Sequence, residues 1–158
     1  MSDSYELTDV DAFTATAVGI PGARTFFLQV VSQETQVSFK CEKQHVEALV
    51  GALSSLLVDL PPVDAIQPTV AVPEPTRPAW TVGSIALGLD GPEGRIMVVL
   101  EEATEDEESG ASARFGMTIG QARAFVERGS ELVSAGRPGC ALCGSPIDVL
   151  GYHCTCFN

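Results

Sequence analysis

The sequence predicts an α+β fold: a strand-strand-strand-helix unit present twice, with antiparallel sheet, followed by a small C-terminal zinc knuckle. Three observations carry this. Short alternating or continuous apolar runs between glycine turns read as strands. Two longer stretches place apolar residues three and four apart, the spacing of a one-sided helix. Six of the ten prolines fall together between the two sets, at Pro61, Pro62, Pro68, Pro73, Pro75 and Pro78. Proline lacks the amide donor and favours extended backbone, so this stretch reads as a semi-rigid connector.

The first unit spans residues 1–60. Residues 13–19 alternate as a strand, Ile20-Pro21-Gly22-Ala23 forms a turn, and residues 25–31 make a second strand apolar enough to be covered on both faces. Residues 36–41 form the third. A helix follows, with Val46, Leu49, Val50, Leu53, Leu56, Leu57 and Leu60 on one stripe. The linker takes residues 61–79.

The second unit, residues 80–137, repeats the order. Residues 80–89 are a strand, Asp90-Gly91-Pro92-Glu93-Gly94 a turn and residues 95–100 a strand. An acidic stretch intervenes, then residues 113–117 form the third strand. Thr118 and Gln121 have the spacing of a capping box at the start of the second helix. Its buried face is Ala122, Phe125, Val126, Leu132 and Val133, and Gly136 ends it. Matching by order pairs Gly19 with Gly88, Arg24 with Arg95, Phe39 with Phe115, and Ala48-Leu49-Val50 with Ala124-Phe125-Val126. Cys41 then falls at the place of Met117 and reads as a small buried core residue. His45 falls at the place of Gln121 and reads as a capping or surface group. Neither unit buries enough surface alone, so the two are expected to share one body.

Bulk numbers exclude several functions. Hydrophobic residues make up 45% of the 158, enough for a packed core. The formal charge of -12 and the absence of any Lys/Arg cluster argue against a nucleic-acid partner. No run approaches the roughly 18 apolar residues a membrane helix needs. Residues 1–11 carry neither a basic start nor an apolar run, so they do not read as a signal peptide. A cytoplasmic location follows, where thiols stay reduced. Residues 101–108 carry six carboxylates and read as a solvated hairpin loop.

Residues 138–158 carry the strongest chemical signal. Cys140-Ala141-Leu142-Cys143-Gly144 is a knuckle: two thiolates aimed at one point by a tight turn. Three more donors, His153, Cys154 and Cys156, follow ten residues on. Four soft ligands suit tetrahedral Zn²⁺, so the predicted set is Cys140, Cys143, Cys154 and Cys156. His153 in place of Cys154 is the alternative. Either set is closed to water and therefore structural. A redox Cys-x-x-Cys would open a helix after a strand, whereas this one follows a helix.

No nucleophile-base set and no phosphate loop stands out. Val18-Gly19-Ile20-Pro21-Gly22-Ala23-Arg24 is rich in glycine but leads into a strand, so it offers a phosphate no helix N-terminus. Arg24 and Arg95 each follow a glycine turn and are the candidate anion-binding pair. The expected function is a non-catalytic binding or adaptor protein with structural zinc. The alternative is an enzyme, or enzyme subunit, with an anion-binding cleft between the units.

The runs Gly22-Ala23-Arg24-Thr25-Phe26-Phe27-Leu28-Gln29, Glu42-Lys43-Gln44, Gln121-Ala122-Arg123-Ala124-Phe125 and Cys140-Ala141-Leu142-Cys143-Gly144-Ser145-Pro146-Ile147-Asp148 resemble a bacterial family. It is known as domain of unknown function 3090, a repeat protein of actinobacteria. The resemblance covers most of the chain and brings no activity. It implies a protein partner, a phosphatidylinositol-kinase-like protein or a histidine phosphatase. The family tail resembles Gly-His-x-Cys followed by a basic stretch. Here His153 falls one place later and Cys156 is additional, which leaves the fourth ligand open between Cys154 and His153.

Overall fold

A computed structural model describes residues 2–20, 22–33, 35–60, 77–91, 95–105 and 110–134. Most of the proline-rich stretch and the whole cysteine-rich tail, with its predicted ligands, lie outside these residues. The described elements are β1 (Tyr5–Leu7), β2 (Ala12–Val18), β3 (Thr25–Ser32), β4 (Thr35–Cys41), α1 (Lys43–Val58), β5 (Val82–Asp90), β6 (Arg95–Glu102), β7 (Ser112–Met117) and α2 (Ile119–Ser134). The fold is α+β, with two sheets and two helices.

Each half is an antiparallel meander followed by a helix of 16 residues. One sheet has the order β2-β3-β4, the other β1-β7-β6-β5. Both first hairpins turn on glycines at positive φ, Gly19 at 112° and Gly91 at 73°. The first turn closes with Ala23 N–H donating to Ile20 O at 2.9 Å. A side chain on Gly19 would meet Ala23 O at 2.7 Å, so this turn needs glycine sterically as well.

Both helices start with the same device built from different residues. Thr118 N–H donates to Gln121 Oε1 at 2.9 Å, and Gln121 N–H returns a bond to Thr118 Oγ1 at 3.1 Å. At α1 the Glu42 N–H donates to His45 Nδ1 at 3.0 Å. In both cases a side chain reaches back to satisfy the backbone donor at the helix boundary. His45 is therefore a capping group.

The strand pairings set the correspondence between the halves. Phe26 pairs with Cys41, and Ile96 with Met117; Val18 pairs with Thr25, and Asp90 with Arg95. Counted from these pairs, Phe39 matches Phe115 and Cys41 matches Met117. Gly19, however, matches Gly91 rather than Gly88. Arg95 matches Thr25, one place beyond Arg24. In a strand one place is a change of face, so the two arginines do not occupy equivalent positions.

Two features depart from the reading above. β1 pairs in parallel with β7, Tyr5 opposite Ala113, so the first strand in sequence completes the second sheet. β6 also continues into the acidic run as far as Glu102. There Glu102 accepts hydrogen bonds from Ser2 Oγ at 2.7 Å and Ala111 N–H at 3.0 Å. These bonds hold its carboxyl below the ordinary value of 4.5. Glu101 accepts from Ser84 Oγ at 2.9 Å.

The sheets are joined at both flanks. On one side Lys40 forms a parallel bridge with Thr81, Lys40 N–H donates to Trp80 O, and Ala79 N–H donates to Ser38 O. On the other, Val10 N–H donates to Gly116 O and Asp11 N–H to Val31 O. The seven strands thus enclose one core, where Phe39, Phe115, Phe125, Leu28, Leu49 and Leu53 are the largest fully buried side chains. Phe125 on α2 stacks on Phe13 of β2 at 4.6 Å, with the rings 7° from parallel. β3 buries Gln29 as well as its apolar row, and the Thr16 hydroxyl donates to the Gln29 amide oxygen. A buried amide is tolerated because it is hydrogen-bonded.

Candidate binding groove between the helices

The sequence-predicted side chains fall into three groups. The tail donors Cys140, Cys143, His153, Cys154 and Cys156 lie outside the described residues. Among the described residues no three His, Cys, Asp or Glu side chains come close enough to hold a metal. Cys41 is buried in the core, and burial together with neighbouring Glu42 pushes its thiol up to about 12. At neutral pH it stays protonated, so it has no nucleophilic thiolate to offer.

Arg24 and Arg95 form the third group. Arg24 donates from Nη2 to the Leu132 carbonyl at 3.0 Å, near the C-terminal end of α2, and lies 5.1 Å over the Phe26 ring. That carbonyl belongs to the last helical turn, which lacks intrahelical donors and favours a cation. Arg95 instead pairs with Asp9, on the strand opposite Met117, which directly precedes α2. Thr118 and Leu132 are separated by roughly 20 Å of helix at 1.5 Å per residue. Each guanidinium is thus engaged across the halves, Arg24 with α2 of the second and Arg95 with Asp9 of the first, at opposite ends of α2.

A different arginine faces open space. A groove of about 360 Å³ runs between the helices, lined by Ser54, Leu57 and Val58 of α1 and by Arg123, Val126 and Glu127 of α2. The helices cross closely because Gly129 has no side chain: a Cβ there would lie 2.6 Å from Val50 Cγ2. Three- and four-residue spacing puts Arg123, Val126 and Glu127 on one stripe, and Ser54, Leu57 and Val58 on the facing one. Val58 is 82% exposed, although Leu57 beside it is buried.

Arg123 Nε is buried without a hydrogen-bond partner among the described residues. A buried donor without an acceptor costs on the order of 1–3 kcal/mol. Glu127 lines the same groove one turn on, but the ion pairs of the described residues are Arg95–Asp9 and Arg128–Glu131. The groove therefore has apolar walls and is lined by an arginine whose buried Nε lacks an acceptor among the described residues. Sequence reading passed over Arg123 because an arginine one place after a buried alanine reads as surface. Its helix stripe was visible, but which stripe faces α1 was not.

No curated protein and no solved structure matches this chain. One family does match, over residues 5–154, and it is described as a protein of unknown function (DUF3090). The match takes in both helices, the groove, Cys140, Cys143, His153 and Cys154, and stops before Cys156. It runs over nearly the whole sequence, and the chain belongs to the DUF3090 family.

Proposed function

We propose that this is a non-catalytic binding protein, an adaptor, whose helix groove takes a carboxylate-bearing apolar segment of a partner protein. One observation carries the reading: the Arg123 Nε is buried without an acceptor in a groove whose other walls include Leu57, Val58 and Val126. A carboxylate satisfies that donor in a charge-assisted bond, and an apolar neighbour fills the space beside it. The other polar groups considered as site residues support the same choice. His45 caps a helix, Arg24 holds a helix end, Arg95 pairs with Asp9, and Cys41 is a core thiol. The proposal extends to a duplicated origin for the two halves, supported by the shared element order and the shared capping geometry.

The test is fluorescence anisotropy with labelled peptides that carry Glu beside Leu or Phe, each matched by a Gln version. Acidic peptides should bind more tightly than their neutral versions. Arg123→Gln should erase the difference, a loss of about ten- to a hundredfold for one charge-assisted bond worth roughly 1.5–3 kcal/mol. Equal binding of both peptide classes, or an unchanged preference in the variant, would overturn the groove reading.

The zinc assignment is a separate part of the proposal, with Cys140, Cys143, Cys154 and Cys156 as ligands and a purely structural role. Elemental analysis of the untagged protein should find about one zinc per chain, as expected of a closed four-ligand site. Cys154→Ser and Cys156→Ser should lose it, and His153→Ala should keep it. Retention in Cys154→Ser with loss in His153→Ala would instead place the histidine in the set. A metal-free protein with reactive tail thiols would remove zinc from the proposal.

A further inference from the structure

The two halves differ in how their first strands are covered, and among the described residues the difference leaves β5 open. In the first half, α2 packs along β2 and seals it with the Phe13–Phe125 stack. Phe13 and Ala15 are buried. Register makes Ile85 the counterpart of Phe13, Leu87 of Ala15 and Leu89 of Ala17. Yet Ile85 and Leu87 are half-buried, and Leu89 is 52% exposed. α1 meets β5 only at its margin, because α1 packs mainly on α2.

Among the described residues the backbone edge of β5 is open too. β6 pairs with one side of the strand, from Val82 to Asp90. On the other side β4 reaches Thr81 through Lys40, and among the described residues no strand pairs beyond it. Alternate N–H and C=O groups along β5 therefore turn away from β6 toward the open side. Such an edge is a template for another strand, and natural edges are usually guarded by Lys, Pro or a covering element. From Val82 to Leu89, Val-Gly-Ser-Ile-Ala-Leu-Gly-Leu, this one carries no charge and no proline.

We propose that β5 pairs antiparallel with β5 of a second copy of this chain, forming a two-fold dimer centred on Ala86. The strand suits itself in this register. Ile85 lies opposite the copy's Leu87, and the pair occurs twice, on the face left half-covered in the monomer. Ser84 meets Gly88. Asp90, the strand's one charge, falls beside the copy's bulge between Val82 and Ser84, away from the other Asp90. In a chain of net charge -12, this is a stretch where two copies approach without bringing carboxylates together. The two-fold closes on itself, so pairing stops at two. A strand from a different protein could use the same edge, but nothing in β5 selects one, whereas self-complementarity is present in its sequence.

The experiment is sedimentation equilibrium on the full chain, with Ala86→Glu and Ala86→Lys variants alone and mixed. Ala86 is exposed, so either side chain fits the folded monomer. Wild type should show a concentration-dependent dimer. Each variant alone places like charges opposite each other and should weaken the dimer about tenfold. The mixture places Glu opposite Lys and should restore association, which a merely misfolded variant would not do. Monomeric wild type at the highest soluble concentration would overturn the proposal. So would a dimer that neither variant weakens, or a mixture no tighter than its components.

Discussion

Phe125→Ala should destabilise the protein by about 3–5 kcal/mol, the range for deleting a buried phenylalanine ring. Phe125 is fully buried, and it stacks on Phe13 at 4.6 Å. Phe13 in turn lies 4.9 Å from Phe115. Phe13 of β2 thus links the Phe125 ring on α2 with Phe115 on β7, so Phe125 holds one side of the joint between the halves. The interior is close-packed, so alanine leaves a void that neighbours on strands cannot fill. Stacked aromatic geometry adds roughly 0.5–1.5 kcal/mol beyond burial. A domain of this kind has total stability on the order of 5–15 kcal/mol, so the loss takes a large share. Urea denaturation followed by fluorescence of the single tryptophan, Trp80, provides the measurement. A change below about 1 kcal/mol would mean that the halves are not held together through this ring.

Trp80→Ala should cost a similar amount, about 3–5 kcal/mol, for a different reason. Trp80 is 5% exposed and packs on Phe39 at 4.5 Å. Its Nε1–H donates to the Asp3 carbonyl at 2.9 Å, and its own carbonyl accepts from Lys40 N–H at 3.0 Å. Trp80 therefore ties the N-terminal segment, β4 and the start of β5 at one flank of the sheet ring. Trp80→Phe separates the contributions. It keeps most of the apolar surface and loses the indole donor, which leaves the loss of one hydrogen bond, about 1 kcal/mol, plus a volume change. Circular dichroism in urea follows both variants, since the tryptophan signal is gone. Equal costs for Phe and Ala would assign the effect to the hydrogen bond instead of the packing.

Much of the local structure was legible because it depends on neighbours in sequence. The alternation in residues 13–19 marked β2, residues 36–41 read as the strand that forms β4, and the stripe from Val46 to Leu57 marked α1. Thr118 and Gln121 announced the capping box, which forms with both bonds in place. Cys41 was read as a core residue and is one. β1 was missed because Tyr5, Glu6 and Leu7 are too short a run to show a period, and their strand character comes from pairing with β7 over a hundred residues away. The extension of β6 to Glu102 was missed because carboxylates suggested solvent. Hydrogen bonds from Ser2, Ser84 and Ala111 are tertiary.

The candidate site was less legible. Two arginines after two glycine turns suggested a symmetric pair. Whether they were equivalent depended on strand register, which sequence order fixes only to within a residue or so. A slip of one place separated them. Arg123 became visible once α1 and α2 were seen to cross at Gly129 and Val50.

The sequence by itself determined the class of fold, the order of the strands and helices after β1, the glycine at the first hairpin turn and the start of the second helix. These follow from side-chain periodicity, backbone sterics and capping, all set within a few residues. Only the tertiary structure decided that β1 belongs to the second sheet, that both flanks of the sheets are joined, that the two arginines lie apart and that Arg123 faces a groove. It also decided that, among the described residues, β5 is uncovered where β2 is sealed. These depend on which surfaces meet, and that choice balances burial over the whole chain, which no local window of residues contains.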